Sequence, residues 1–313
     1  MKFSALLSAA GLSLLLLPLT ALAAPHKHHV KAVPSATPAA AASATVPAAT
    51  SGIPSPPDVD ARAYILIDYT SGQALAQRNA DAHMEPASLT KLMTCYVVFQ
   101  ALKAGTLKLV DQVTISEHAW KAEGSRTFVQ VGSQVPAEVL IKGMIVQSGN
   151  DATIALAERI GGTEGAFVQL MNDYARRLGM TNTHFDDSSG LPSPTHYTTA
   201  HDLALIARAA MEQPFFRQLV STIYYTWKSP KGVVYQLRNH NRLLRHFAGC
   251  NGLKTGYTRA AQQVLVSSAL REGHEVISVV LHTDKPGIWE DSKALLTYGL
   301  IKVGCPPGSI ANS

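Results

Sequence analysis

Glu85-Pro86-Ala87-Ser88-Leu89-Thr90-Lys91-Leu92-Met93-Thr94 is the stretch on which the reading of this chain turns. Lys91 follows Ser88 by three residues, so in a helix the two side chains share a face and can touch. The apolar period from Leu89 to Ala104, closed by Gly105, supplies that helix. Alone, the pattern also fits an N-capping serine with a solvated lysine in the first turn. Two further triplets follow in order, Ser148-Gly149-Asn150 and Lys254-Thr255-Gly256. Asn150 by itself fits the cap of a helix over 151–160, and 254–256 by itself fits a turn. The second triplet, however, leads into the apolar run Val264 to Leu270, as expected of an edge strand. A hydroxyl beside an amine, a second hydroxyl with an amide, and a cationic strand are together the parts of an acyl-transfer site.

Outward from these motifs, the first 23 residues read as a secretory signal. Lys2 supplies the positive start, Leu14 to Leu17 the apolar centre, and Ala21-Leu22-Ala23 the small-residue cleavage site. The apolar run is short for a membrane span. Residues 24–57 are rich in Ala, Pro, Ser and Thr without an apolar period, and are expected to be a disordered linker. His26, His28 and His29 in that segment are expected to be solvated, so no metal is implied. Residues 58–303 are long enough for one large domain, with 304–313 as a short tail. The net charge is +5, from 27 basic and 22 acidic residues. The basic residues are scattered, which argues against nucleic acid as a partner. Three cysteines (Cys95, Cys250, Cys305) are too few for a disulfide scaffold. Cys95 is expected to be a buried thiol, and pairing of Cys250 with Cys305 stays open.

Strands are expected at 63–68 and 74–77, around a turn at 70–72. Helical patterns follow at 136–146, 151–160, 165–178 and 199–211. Strand character returns at 223–227, 233–237, 264–270 and 276–282, and a last amphipathic helix covers 288–302. Strands at both ends with helices between them give an α/β (α+β) fold, in which one sheet is built from the two termini and a helical lobe is inserted. The crevice between lobe and sheet is the natural site.

The chain resembles the serine-type D-alanyl-D-alanine carboxypeptidases, low-molecular-mass penicillin-binding proteins of the S11 type, over about residues 60–303. Besides the stretch 85–94, the likeness rests on Gln147 to Ala152, Leu178-Gly179-Met180, Thr183-His184-Phe185, Gly190-Leu191, Tyr197 to Ala200 with Asp202-Leu203, and Gly252 to Thr258. It implies the penicillin-recognising fold, an antiparallel sheet with an inserted helical lobe. It also implies removal of the terminal D-Ala from peptidoglycan stem peptides, with β-lactam antibiotics as inhibitors. In that reading Ser88 is the nucleophile, Lys91 its base and Ser148 a proton relay. Asn150, Lys254, Thr255, Gly256 and Tyr257 bind substrate, and Asn150 also helps orient Lys91. The backbone N–H groups of Ser88 and Tyr257 form the oxyanion hole. No cofactor or metal is needed, and the expected compartment is the periplasm of the bacterial envelope.

Some positions depart from the family. Ala261 is followed by Gln262 where many relatives carry Ala-Gly. No arginine stands near His282-Thr283-Asp284-Lys285, where many relatives place one for the substrate carboxylate, so Lys285 or Arg259 is the expected substitute. The C-terminal β-domain and membrane anchor of many relatives are not expected. An endopeptidase acting on cross-linked peptidoglycan is the nearest alternative. A class A β-lactamase is disfavoured because 148–254 offers no Glu-x-x-x-Asn element, and a non-catalytic wall-binding protein because all five polar motif residues are intact.

Overall fold

In this computed structural model, residues 55–310 are described. The expected signal and most of the expected linker lie outside them. The chain runs β1 (Ala63–Asp68), β2 (Ala74–Arg78), a 3₁₀ turn (Ala87–Thr90), α1 (Lys91–Lys103), β3 (Gln112–Thr114), α2 (Glu117–Trp120), β4 (Gln134–Pro136), α3 (Ala137–Val146), α4 (Asn150–Gly161) and α5 (Glu164–Arg177). It continues with α6 (Ala200–Met211), α7 (Pro214–Ser221), β5 (Tyr224–Lys228), β6 (Val234–Arg238), α8 (Leu243–His246), β7 (Cys250–Thr258), β8 (Gln262–Arg271), β9 (His274–Thr283), α9 (Gly287–Lys302) and α10 (Pro307–Ile310).

Five strands form one antiparallel sheet in the order β2-β1-β9-β8-β7. The expected sheet from both termini is therefore present. Its strands β1, β8 and β9 read as largely continuous apolar runs because both of their faces are covered. Ile65, Ile67, Val264, Val266, Ile277, Val279 and Leu281 point into the core shared with the helical lobe. Their neighbours Tyr64, Leu66, Leu265, Val276 and Val280 point to the other face, against Leu295, Leu296 and Leu300 of α9. A slip of one residue in register would exchange the two cores, so the pattern fixes the pairing. Cys305 and Ile310 are buried in the α9-side core, which carries the packed structure past Lys302.

The helical lobe centres on α1, whose residues Lys91 to Cys95, Val97 to Phe99 and Ala101 are buried. A helix buried on nearly all sides has no polar face to present to water, which suits a central position. The sequence expectation for α1 ran from Leu89; the helix starts at Lys91, and the residues before it wind more tightly. Two short ladders, β3–β4 and β5–β6, complete the lobe; β3, β4 and α7 carry no period strong enough to read in advance. Among the described residues, no helix is long and apolar enough to cross a membrane.

Candidate active site

Ser88 does not cap α1. The N-cap is Thr90, with no side-chain cap bond, and Ser88 lies within the preceding 3₁₀ turn. In a 3₁₀ turn residues i and i+3 eclipse one another, so the spacing that suggested a shared face here gives direct stacking. Lys91 Nζ accordingly donates to Ser88 Oγ at 3.1 Å, and to Ser189 O at 2.7 Å. Asn150 is not an N-cap either: Gly149 holds that position, and Asn150 Nδ2 donates to Glu123 O at 2.6 Å. Its Oδ1 is buried without a partner, so the expected hold of Asn150 on Lys91 is not made; the Ser189 carbonyl takes that place. Lys254-Thr255-Gly256 lies within β7, at the free edge of the sheet. Lys254 Nζ donates to Ser148 Oγ at 2.9 Å and to Thr255 O at 2.9 Å. The fold thus gathers two Ser–Lys pairs, Ser88–Lys91 and Ser148–Lys254, from three distant stretches of chain.

Close backbone approach explains Gly256. A Cβ there would stand 2.9 Å from the Ser88 backbone nitrogen and 2.7 Å from Val264 Cγ2. Any side chain would push β7 away from the turn that carries Ser88. Two non-glycine residues with positive φ, Ala87 (47°) and Ser148 (62°), sit beside or within the motifs. Such backbone costs about 1–3 kcal/mol per residue and persists where the surroundings over-determine it, often at functional sites.

The loop 186–191 holds Lys91 from behind. Asp187 Oδ1 accepts from the backbone N–H groups of Ser189 and Gly190, both at 2.6 Å, and Oδ2 from that of Leu191 at 3.1 Å. Asp187 Oδ2 faces His196 Nδ1 at 3.3 Å, and His196 Nε2 lies 2.9 Å from Thr90 Oγ1, next to Lys91 in the chain. Burial opposes ionisation of Asp187, but His196 and the backbone N–H groups of Gly190 and Ser189 outweigh it and hold the carboxyl at about 2. Neither Asp187, Ser189 nor His196 stood out in the sequence, because their part depends on a loop packing against α1. Gly190 closes that contact: its φ is +93° and a Cβ would fall 1.8 Å from Ala87 O. Gly190→Ala is expected to cost at least about 3 kcal/mol and to displace the Ser189 carbonyl from Lys91. Thermal unfolding would read the loss of stability.

Burial dominates the electrostatics. It lowers Lys91 from its ordinary value to about 7, while the carboxylates of Asp187 and Asp151 keep it from falling further. Lys254 is pushed well below the ordinary lysine value by burial and then by the charge of Lys91. The repulsion between the two amines falls on Lys254. Cys250 is unsuited to be a nucleophile, its thiol being pushed up to about 11 chiefly by burial. All three cysteines are free, so Cys250 and Cys305 do not pair.

A cleft of about 840 Å³ opens over these groups, with Ser88, Ser148, Thr255, Gly256 and Tyr257 in its walls. Lys285 lines it and Arg259 does not; Arg238, Arg242 and Arg245, which the sequence reading passed over, do. No glutamate lines the cleft among the described residues. The described residues also contain no group of three or more His, Cys, Asp or Glu side chains placed to hold a metal ion.

The D-alanyl-D-alanine carboxypeptidase family, peptidase S11, matches residues 50–285 of the sequence. This chain belongs to that family. The S11 chain is 44% identical over 253 residues to the D-alanyl-D-alanine carboxypeptidase DacC of Escherichia coli, which covers 78% of it and 62% of the relative. It therefore spans less than two thirds of that relative's length. Among solved structures, penicillin binding protein 5 from Haemophilus influenzae superposes with a TM-score of 0.74 at 39% identity, over 79% of this chain and 72% of the other. A mutant of the Streptomyces K15 DD-transpeptidase gives 0.74 at 32% identity, over 78% of this chain and 99% of the other. The penicillin-recognising fold expected from the sequence is thus shown for this S11 protein.

Proposed function

We propose that this protein is a serine D-alanyl-D-alanine carboxypeptidase that removes the terminal D-Ala from peptidoglycan pentapeptides through an ester on Ser88. The observation that carries the reading is the contact of Ser88 Oγ with Lys91 Nζ, an amine whose pKa burial has brought to about 7. A neutral amine at that distance is a general base, whereas an ordinary lysine is protonated at neutral pH.

Ser88 Oγ attacks the carbonyl carbon of the penultimate D-Ala while its proton moves to Lys91 Nζ. The oxyanion forms between the backbone N–H groups of Ser88 and Tyr257, which the missing side chain of Gly256 lets come together. Ser148 Oγ accepts a hydrogen bond from Lys254, so its own hydrogen is free to pass to the leaving amine, while Ser148 takes up in turn the proton that Lys91 received. The ester forms, the peptide C–N bond breaks and D-Ala departs. Water then attacks the ester, and Lys91, made neutral by that relay, takes the water's proton and returns it to Ser88 Oγ as the ester bond breaks and the trimmed peptide is released. Asn150 is assigned to the substrate amide in this reading; its Oδ1 has no partner but is buried, and the residue does not line the cleft.

Lys254 and Thr255 hold the terminal carboxylate. An anion there favours the ammonium form of Lys254, and a charged Lys254 disfavours charge on Lys91. Substrate binding thereby keeps the base neutral. Penicillin, with a carboxylate beside a strained amide, enters the same path and leaves slowly. A cleft without a glutamate to activate water supports slow release over β-lactamase action. The working compartment proposed is the periplasm.

Mass analysis of purified disaccharide-pentapeptide and cross-linked dimers incubated with the protein tests the proposal, with Ser88→Ala as control. Loss of one D-Ala from monomers is the expected result. Dimers cut to monomers without that trimming would make the protein an endopeptidase. No Ser88-dependent change in either would overturn catalysis and favour wall binding.

A further inference from the structure

The segment entering α8 alternates strictly. Asn239, Asn241 and Leu243 are buried, while Arg238, His240 and Arg242 are exposed. The two asparagines are tied down on both sides. Asn239 Nδ2 donates to Val220 O at 3.3 Å and Thr222 O at 3.0 Å, and its Oδ1 accepts from Asn241 N at 2.9 Å. Asn241 Nδ2 donates to Gly252 O at 2.9 Å, and its Oδ1 accepts from Leu243 N at 3.0 Å. Asn241 thus joins the segment to β7 two residues before Lys254. With the odd positions fixed by buried hydrogen bonds, the even positions are presented to the cleft at a period of two residues.

What they present is positive charge without a partner. Arg238, Arg242, Arg245 and Lys285 all line the cleft, and the only carboxylate among its lining residues is Asp284. None of the four cations forms an ion pair among the described residues. Arg242 is held over the Trp289 ring at 5.6 Å, and Arg245 Nη1 donates to the Tyr224 hydroxyl at 3.3 Å, so two guanidinium groups are steadied by neutral neighbours. The field reaches His240, whose imidazole is pushed down to about 4 by desolvation in the cleft and then by Lys254 and Arg238. Four unpaired cations gathered in one cleft repel each other, and an anionic ligand relieves that repulsion.

We infer that Arg238 and Arg242, with Arg245 in the same cleft, form a subsite for a second carboxylate of the substrate peptide, separate from the terminal carboxylate at Lys254 and Thr255. The inference rests on the catalytic reading above for the identity of the peptide. The preferred substrate is then a stem peptide with a free side-chain carboxylate, and amidation of that group weakens recognition. Guanidinium groups suit this task because their forked donors match a carboxylate.

The test uses two pentapeptides ending in D-Ala-D-Ala that differ only at the third residue, whose side chain ends in a free carboxylate or in its primary amide. Binding to the full chain carrying Ser88→Ala, which leaves both peptides uncut, is measured by calorimetry, and kcat/KM is measured on the wild-type protein. The carboxylate peptide is expected to bind about 10- to 100-fold more tightly, the range of a charge-assisted hydrogen bond. The preference should shrink as salt is raised. Adding Arg238→Gln and Arg242→Gln should bring the ratio towards one, an outcome that general loss of structure would not produce because it weakens both peptides alike. Equal binding of the two peptides, binding of neither, or a preference untouched by the two substitutions overturns the subsite. A binding preference in Ser88→Ala with no cleavage of either peptide by wild type would leave the subsite standing and overturn the catalytic reading instead.

Discussion

Replacing Ser88 with alanine is expected to lower D-Ala release by about 10⁴- to 10⁶-fold, the range seen when an activated serine nucleophile is removed. The mass increment left by penicillin on the intact protein should vanish with it. The fold should hardly notice. Ser88 Oγ accepts one hydrogen bond, from Lys91, and Lys91 keeps its shorter bond to the Ser189 carbonyl. Thermal unfolding measured beside the acylation assay separates the two effects. A Ser88→Ala protein that still gained the penicillin mass would remove Ser88 from the chemistry altogether.

The second large effect is that of the base. Acylation by penicillin should follow a single ionisation near pH 7, because Lys91 is held at about 7 and acts only when neutral. Below that point the rate should fall about tenfold per pH unit as the amine takes up its proton, and above it the rate should level off. Lys91→Arg fixes a charge in the same place, since a guanidinium keeps its proton throughout this range, and should cost about 10²- to 10⁴-fold, the contribution of general-base catalysis. Full acylation activity in Lys91→Arg would show that the base is another group. Asp187 supplies an internal control. Its carboxylate favours the charged form of Lys91, so Asp187→Asn should move the acid limb of the profile to lower pH, even if loosening of the loop also lowers the plateau. A drop in rate with an unmoved limb would give Asp187 a purely structural part.

The helical lobe and the terminal sheet were legible because their cause is local. Both faces of β8 and β9 are covered, which requires apolar residues at nearly every position, and those runs stand out in the sequence. The β5–β6 hairpin was read within one residue of its bounds, whereas the ladder β3–β4 was not read, because three-residue strands carry no period. The nucleophile turn was legible in spacing and not in form, since a separation of three residues serves an α-helix and a 3₁₀ turn alike.

Ser88, Lys91, Ser148, Asn150 and Lys254 are residue types whose chemistry is visible wherever they stand, and their order, with the stretches around them, marked the family. What the sequence by itself determined was therefore the set of groups proposed to react and the covered sheet that carries one of them. Only the tertiary structure decided how those groups are tuned and framed. Lys91 owes its depressed pKa to burial, Ser189 reaches it from a loop 98 residues away, and Asp187 and His196 act through that loop. The cations of 238–245 face the cleft because buried asparagines hold the residues between them. Burial and through-space charge depend on distances that no local pattern encodes, which is why these residues emerge only once the chain has folded around them.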